Sequence, residues 1–320
     1  MSQLKNNLTF KNIYSNYTFI FSFLVLVIIA TVINHSFLSW TSLSTLMLQS
    51  SIKGIIALGM TLIIISGQID LSVGSQAALI AGLGVVVLNK TESAFIMLLF
   101  CMAFGIVLGT INGVITTKGK MAPFIVTLAT MSAYRSIIVQ LGQGGPFNVN
   151  MKILMSFRKI AVGKTIGIPN LAIIFIIITI LMALMVKYTK FGRYVYAVGS
   201  NENAAFLTGI NVDRIKTLCF TLTGLLTGVS SFLLASRLTS ITAANVGNAF
   251  ELDAIAAVAI GGTAMNGGRG KIFGTFLGAV MLQMIEGILI AARIPPFLSG
   301  LVKGIIIVLA VVFQSKKNND

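Results

Sequence analysis

Charged residues are scarce in this sequence, since Asp, Glu, Lys and Arg together make up only 10% of its 320 residues. Soluble domains carry about 25% charged residues. Hydrophobic residues reach 56% and the mean hydropathy is +0.95, so a water-soluble globule of this composition would lack polar side chains to cover its surface. The composition excludes a soluble enzyme, a disordered chain and a fibrous repeat, and it places the chain in a lipid bilayer.

Histidine and cysteine are nearly absent, with one histidine, His35, and two cysteines, Cys101 and Cys219. Both cysteines lie inside apolar runs, where they act as small packing residues. No disulfide framework and no zinc-ligand spacing can be built from these three residues. We therefore predict no metal, no cofactor and no redox chemistry.

A nucleotide-binding loop is also missing. Residues 163–165, Gly-Lys-Thr, resemble the end of the phosphate loop G-x-x-x-x-G-K-[ST], but Arg158 stands where the first glycine is required. A membrane-embedded hydrolase with paired carboxylates is conceivable, but no histidine lies near its carboxylates. We predict no catalytic residues and a protein that is not an enzyme.

Acidic residues are fewer than basic ones, 8 against 23, which gives a net charge of +15. In a soluble protein this excess would indicate nucleic-acid binding. Here the lysines and arginines are spread thinly between apolar runs, so we predict no nucleic-acid partner. Cationic side chains instead hold loops on the cytoplasmic side of a membrane and contact anionic lipid, which is the first predicted partner.

Apolar runs that can cross a bilayer recur along the chain. A hydrocarbon core of about 30 Å needs about 20 residues of helix. The run 254–266 is short, and two others are interrupted by Lys53 and Lys303, whose side chains we expect to reach toward the membrane surface. We predict an all-α polytopic membrane protein with a single transmembrane domain over residues 1–320 and about ten spans, at 18–34, 43–66, 71–88, 94–116, 122–141, 169–187, 217–236, 254–266, 272–292 and 297–313.

The positive charges also predict the orientation. With the N-terminus inside, thirteen Lys and Arg residues fall in the cytoplasm and seven outside, which is the asymmetry expected of cytoplasmic loops. Both termini are therefore predicted to be cytoplasmic. The first run is expected to remain a spanning helix, because Asn34-His35-Ser36 is a poor signal-peptide cleavage site.

Glycines spaced four residues apart occur in several runs, as at Gly105 and Gly109 and at Gly224 and Gly228. Small residues at this spacing allow helix backbones to approach each other closely in lipid. The pattern predicts close helix packing and indicates nothing about a substrate.

An aspartate interrupts the apolar sequence at residues 66–74, Ser-Gly-Gln-Ile-Asp-Leu-Ser-Val-Gly. One interpretation is a tight cytoplasmic turn in which Asp70 caps a helix that begins at Leu71. The other is a helix broken inside the protein, with its freed backbone lining a hydrated path. Under the second interpretation Gln68 and Asp70 are candidate pathway residues.

The connector 188–216 is longer than a simple loop between spans needs to be. Within it Ser200 or Asn201 can N-cap a two-turn helix, Glu202 suits its first turn, and Gly209 ends it. The apolar side chains of this helix would be exposed to water without a partner. The helix therefore either rests on the lipid surface or docks into a groove on a cytoplasmic protein.

Further carboxylates lie toward the predicted outer face. Glu251 and Asp253 precede the run 254–266, where they either contact substrate or cap and orient the helix. Glu286 falls near the outer end of its span, and we predict that it pairs with Arg293 two turns on.

Three groups of motifs resemble the permease subunits of ribose-type ABC sugar importers. They occur in the family's order, and the resemblance runs from about residue 40 to 313. The motifs are Gly-Met-Thr-Leu-Ile at 59–63 with the stretch at 66–74; Gly-Arg-Tyr at 192–194 with Gly-Ser-Asn-Glu-Asn-Ala-Ala at 199–205 and Thr-Gly-Ile at 208–210; and Glu-Leu-Asp-Ala-Ile-Ala-Ala-Val at 251–258 with Gly-Gly-Thr at 261–263 and Gly-Gly-Arg-Gly at 267–270.

The resemblance implies a transport pathway in the bacterial inner membrane, formed by two such permeases as a homodimer. A cytoplasmic ABC ATPase subunit would drive it, and an extracytoplasmic sugar-binding protein would deliver the sugar. The resemblance favours docking over resting on lipid and makes 201–210 the coupling helix to the ATPase. The implied contact residues are Asn201, Glu202, Asn203, Ala204, Ala205, Phe206, Leu207, Thr208 and Gly209, with Asn203 where many relatives have alanine.

Ribose is the substrate that the resemblance favours, with other monosaccharides and autoinducer-type furanosyl compounds as alternatives. The external loop 142–168 either contacts the binding protein or is structural. A rival hypothesis is an ion-coupled secondary carrier, for which Asp70 and Glu286 are the buried candidates. The candidate pathway residues are Gln68, Asp70, Glu251 and Asp253.

Overall fold

The structure is a computed structural model that describes residues 10–295, 298, 300–302 and 304–305. The predicted span 297–313 lies largely outside these residues, as does Lys303. In chain order the elements are α1 (Phe10–Ile33), α2 (Trp40–Ile65), α3 (Val73–Thr91), α4 (Ala94–Lys118), α5 (Pro123–Leu141), β1 (Pro146–Asn148), α6 (Met151–Val162), β2 (Lys164–Thr165), β3 (Ile168–Pro169), α7 (Asn170–Tyr188), α8 (Lys190–Ser200), α9 (Glu202–Leu207), α10 (Val212–Leu238), β4 (Ser240–Thr242), α11 (Phe250–Ile260) and α12 (Ile272–Ala291).

Seven helices in the described part of the chain are long and apolar enough to cross a membrane, namely α2, α3, α4, α5, α7, α10 and α12. Each of them corresponds to one of the predicted runs. The run 18–34 corresponds to the apolar part of α1, Ile20–Ile33. The all-α polytopic membrane fold is therefore confirmed, and the number of ten spans stays a prediction.

The structure replaces the span predicted over 254–266 with the short helix α11. This helix has eleven residues and ends at Ile260. A helix of that length rises about 16 Å, roughly half of what a hydrocarbon core requires. The sequence could not make the distinction, because a short apolar run fits both a buried half-length helix and a weak span.

Helix α2 is the most enclosed part of the fold, since every residue from Gly54 to Ile65 is buried. It packs against α7, α10, α11 and α12. A hydrogen bond of 2.7 Å between the Thr61 and Thr275 hydroxyls joins α2 to α12, and Ser230 of α10 donates to the Ile52 carbonyl at 2.8 Å. Such interhelical bonds help to hold a bundle together in lipid, where the hydrophobic effect contributes little.

Helices α4 and α10 make the close glycine-mediated contact that the four-residue spacing predicts. A methyl group built on Gly105 would overlap the carbonyl of Gly224, and one built on Gly228 would overlap the carbonyl of Cys101. The hydroxyls of Thr110 and Thr221 share a hydrogen bond of 2.8 Å in the same contact. The small residues therefore set the distance between these two backbones.

Helix α10 runs between two distinct ends of the molecule. Its N-terminal half lies beside α8 and α9, and its C-terminus leads into β4, which pairs antiparallel with β1. At the same end as β1, Asn89 in the last turn of α3 donates to the Asn148 carbonyl at 2.8 Å. The α8–α9 end is the one predicted to be cytoplasmic, and the β1–β4 end is the one predicted to lie outside.

Candidate functional site

The short helix α9 projects at the predicted cytoplasmic end. Asn201 caps its start, because its Oδ1 accepts a hydrogen bond from the backbone N–H of Ala204 at 2.9 Å. Gly209 follows its end with a left-handed φ of 83°. The helix predicted over 201–210 is thus present, with Glu202–Leu207 as its bounds. A second helix, α8, precedes it and was not predicted from the sequence.

One face of α9 is anchored and the other is open. Ala205 is buried, whereas the side chains of Phe206 and Leu207 are 69% and 83% exposed. Two large apolar side chains side by side on a helix at one end of the molecule form a surface suited to a protein partner. The other predicted contact residues, which are all exposed, are Asn201, Glu202, Asn203, Ala204, Thr208 and Gly209.

An ion pair holds α9 against the first turns of α10. Lys216 Nζ lies 2.6 Å from Glu202 Oε2, and the lysine side chain is only 11% exposed while the glutamate is 56% exposed. The pair is a direct side-chain contact between the short helix and a long spanning helix. Glu202 therefore has a positioning role that the sequence, which offered only a first-turn preference, did not reveal.

Helix α8 is joined to the C-terminal end of α2 and to the loop 261–271. The Ile65 carbonyl at the end of α2 accepts a hydrogen bond from the backbone N–H of Gly268 at 2.8 Å, and Gly199 of α8 lies against the same carbonyl. Tyr196 donates its hydroxyl to the Gly270 carbonyl at 2.8 Å. Burial raises the pKa of this phenol, so it stays protonated and remains a donor. We call this contact the α8–α2 junction.

The segment 66–72 connects the end of α2 to α3 without helical structure. Helix α3 begins at Val73, two residues later than the capped helix predicted from Leu71. Asp70 is fully buried, and its Oδ1 accepts hydrogen bonds from the backbone N–H and the hydroxyl of Ser72 at 2.8 and 2.6 Å. The protein therefore encloses the chain at this break, which favours the broken-helix interpretation over a turn at the cytoplasmic surface.

A buried hydrogen-bond network surrounds this break. The Ser72 hydroxyl accepts from the amides of Gln76 at 2.6 Å and Asn112 at 2.7 Å, and Tyr134 donates its hydroxyl to Asn112 Oδ1 at 3.2 Å. The network joins the segment 66–72 to α3, α4 and α5. Sequence reasoning missed Gln76, Asn112 and Tyr134, for which the only signal was a polar side chain within an apolar run.

We expect Asp70→Ala to destabilise the protein by about 1–3 kcal/mol, because it removes the acceptor of two buried Ser72 donors. The measurement is the midpoint of thermal unfolding of the purified chain in detergent. The matched control is Asp213→Ala, an exposed carboxylate on α10, which should change stability by about 0.5 kcal/mol or less. Equal midpoints for the two variants would contradict a stabilising role for the Asp70 network.

A second polar cluster involves α2, α11 and α12. Lys53 Nζ lies 2.6 Å from Asp253 Oδ2 and 3.7 Å from Glu286 Oε1. Gln283 Nε2 donates to Gln49 Oε1 and to Glu286 Oε2, both at 3.0 Å. We call these five residues the Lys53 cluster.

The Lys53 cluster corrects two predictions. Lys53 does not reach toward a membrane surface, because it pairs with carboxylates of two other helices. Glu286 forms its ion pair with Lys53, where the sequence analysis paired it with Arg293. Neither partnership could be read from the sequence, since Asp253 and Glu286 lie 200 and 233 residues after Lys53 in the chain.

The two carboxylates of α11 point to different places. Asp253 belongs to the Lys53 cluster, whereas Glu251 lies beside Gly74 in the first turn of α3. Near it, Arg135 of α5 donates through Nη1 to the carbonyls of Ala243 and Val246, both at 2.7 Å. Glu251 and Asp253 therefore do not form a paired-carboxylate site.

The last candidate pathway residue, Gln68, is buried within the break at 66–72. Its Nε2 donates to the Gly67 carbonyl at 3.1 Å. The four candidates consequently occupy three places. Gln68 and Asp70 lie in the buried break, Glu251 lies at the start of α3, and Asp253 belongs to the Lys53 cluster.

Comparison with known proteins finds a permease family and similar sugar permeases. Residues 42–311 match a family model described as a branched-chain amino acid transport system permease component. The chain is 37% identical to the ribose import permease protein RbsC of Bacillus subtilis, over 92% of this chain and 91% of that protein. No solved structure matches it.

Permeases named for other sugars are also similar. The fructose import permease protein FruF of Bifidobacterium longum is 31% identical over 98% of this chain and 91% of its own length. The L-arabinose transport system permease protein AraH of Escherichia coli is 32% identical over 98% of this chain and 94% of its own length.

Proposed function

The chain belongs to the permease family of ABC importers, and we propose that it forms the pathway by which a monosaccharide, ribose in the first place, enters a bacterial cell. As a member of this family it is the transport subunit and not the ATPase. Ribose is the favoured substrate because this chain is more similar to the ribose permease described above than to the fructose and arabinose permeases.

The observation that carries the proposal is the open face of α9. A carrier that works alone has no need for a short helix that exposes Phe206 and Leu207 at its predicted cytoplasmic end. The cap by Asn201 and the ion pair between Glu202 and Lys216 hold the helix in place before any partner arrives. A preorganised apolar surface of this kind favours docking of the ATPase subunit over contact with lipid.

The α8–α2 junction is the route by which we propose that the ATPase moves the pathway. Closure of two ATPase subunits around ATP displaces α9 and α8, and the contacts of Gly199 and Gly268 with the Ile65 carbonyl pass that displacement to α2 and the loop 261–271. Segment 66–72 begins directly after Ile65. The pathway would then alternate between outward and inward access without any chemistry in this chain.

The outer end of the molecule would receive the sugar-binding protein. Helix α6 and the β2–β3 hairpin expose four basic residues there, Lys152, Arg158, Lys159 and Lys164. A surface with this charge would attract an acidic partner surface. We further propose that two copies of the chain form the pathway in the inner membrane, with both termini cytoplasmic.

The proposal is tested by transport in proteoliposomes that contain the chain together with its ATPase subunit. We expect uptake of radiolabelled ribose from its binding protein to require ATP on the side of α9 and to stop when ADP replaces ATP. Unlabelled fructose and arabinose are added as competitors to rank the substrate.

The rival carrier hypothesis has an opposite expectation for the same liposomes. Uptake of ribose by the chain without the ATPase subunit, driven by a sodium or proton gradient, would overturn the importer proposal. Coupling would then have to be sought at Asp70 and Glu286.

A further inference from the structure

We infer that the Lys53 cluster is a sugar-contacting site within the pathway and that it selects neutral polyhydroxylated substrates over anionic ones. This inference rests on the proposed function. It assigns Lys53, Gln49, Gln283 and Glu286 to the pathway, residues that the sequence motifs did not single out, and it adds a partner to Asp253.

The Lys53 cluster lies deep within the predicted spans. Lys53 lies near the middle of α2, Trp40–Ile65, about equally far from both ends of a helix that is long enough to cross the membrane. Ionisable side chains at this depth are costly and face a protein interior or a water-filled cavity rather than lipid. Three such side chains from three helices, gathered at one level, therefore face away from lipid, toward the protein interior or a water-filled pathway.

The Lys53 cluster is partly exposed. The side chains of Lys53 and Glu286 are 30% and 23% exposed, whereas that of Asp253 is 7% exposed. The network at Asp70, by contrast, is fully enclosed. The Lys53 cluster is thus open on one side, and in an assembly of two copies each copy would present one cluster to the shared pathway.

The cavity beside the charges is narrow. It is lined by Ser50, Ala257, Ala279 and Leu282 in addition to the polar residues, and its volume of about 10 Å³ is roughly that of one water molecule. A sugar would therefore contact the cluster from its open side, where Lys53 and Glu286 are partly exposed, and would not enter the cavity.

The chemistry of the cluster suits a sugar. Neighbouring hydroxyls of a monosaccharide donate to carboxylates, accept from an ammonium group and do both with amides, and hydrogen bonds to charged groups are the stronger ones. Because the groups already pair with one another, a passing sugar exchanges partners and is not trapped. Two carboxylates against one ammonium repel anions such as phosphorylated sugars.

The test uses the complete importer in proteoliposomes, with ribose-loaded binding protein outside and ATP at the ATPase subunit. Ribose uptake and ATP hydrolysis are measured on the same preparation for the native chain, Glu286→Gln and Lys53→Met. The matched control is Glu92→Gln, which neutralises an exposed carboxylate in the turn between α3 and α4.

We expect Glu286→Gln and Lys53→Met to lower ribose uptake about tenfold, the effect of losing one hydrogen bond to a charged group. ATP hydrolysis stimulated by the loaded binding protein should stay within about twofold of native, because the cluster is remote from α9. Glu92→Gln should leave both rates unchanged. Uptake that stays at the native level, or uptake and hydrolysis that fall by the same factor, would overturn the inference.

A milder substitution separates loss of the site from loss of folding. Gln49→Ala removes an amide without leaving a charge unpaired, and we expect it to lower uptake about threefold with native hydrolysis. An unchanged uptake per ATP in this variant would also count against the site. Failure of the proposed function itself is recognised separately, because the native complex would then show no ATP-dependent uptake.

Discussion

The double variant Phe206→Asp/Leu207→Asp is expected to lose both copurification of the ATPase subunit and ATP-driven ribose uptake. Burying one large apolar side chain contributes about 1.5–3 kcal/mol, so losing two weakens binding by about two to four orders of magnitude. The added carboxylates would also need to be desolvated at the interface. The measurement is the amount of ATPase subunit recovered with the permease from detergent extracts.

The control for this variant is Ile166→Asp. Ile166 is 94% exposed in the hairpin at the opposite end of the molecule, so the change adds one of the two carboxylates of the double variant at an apolar position that is even more exposed. ATPase recovery should be native in this control. Native recovery in the double variant as well would show that α9 is not where the ATPase binds.

The double variant should unfold at the native temperature when the permease is isolated, because both side chains are exposed and substitutions at such positions change stability by about 0.5 kcal/mol or less. A loss of binding with unchanged stability separates a docking defect from misfolding.

The features that the sequence predicted well are local. Runs of apolar residues predict spanning helices, and seven of them appear as such. The helix after Asn201 was predicted from a cap, a first-turn acid and a terminal glycine, all within ten residues of one another. The contact of Gly105 with Gly224 follows from a four-residue spacing on each helix.

The features that could not be predicted from the sequence are contacts between side chains that lie far apart in the chain. From its own helix alone, Lys53 is predicted to reach toward the membrane surface. Its carboxylate partners lie on α11 and α12, which pack against α2. The same holds for Asp70, whose surroundings include Asn112 and Tyr134 on two other helices. A single sequence carries no signal for such pairings.

Both polar sites are related to one mechanical element, which is helix α2. Its C-terminal end bears the α8–α2 junction and leads into the break at 66–72, and its middle bears Lys53. A displacement of α8 would therefore reach the buried network and the Lys53 cluster through one rigid helix. Transmission of this displacement to α2 therefore depends most on the contact between Gly199 and Ile65.

Gly199→Val is expected to lower ribose uptake by about tenfold or more while the ATPase subunit still copurifies. A side chain at Gly199 would overlap the Ile65 carbonyl, which also accepts the Gly268 N–H. The valine must push α8 away from α2, and such overpacking costs about 1–3 kcal/mol. Since α9 keeps its apolar face, the partner still binds, but its motion no longer reaches α2.

The measurement for Gly199→Val is the number of ribose molecules transported per ATP hydrolysed. Gly287→Val is the matched control, because Gly287 is also helical but has open space where a side chain would be added. The control should keep the native ratio. A native ratio in Gly199→Val as well would mean that the α8–α2 junction does not carry the motion, and coupling would then have to pass from α9 through Lys216 into α10.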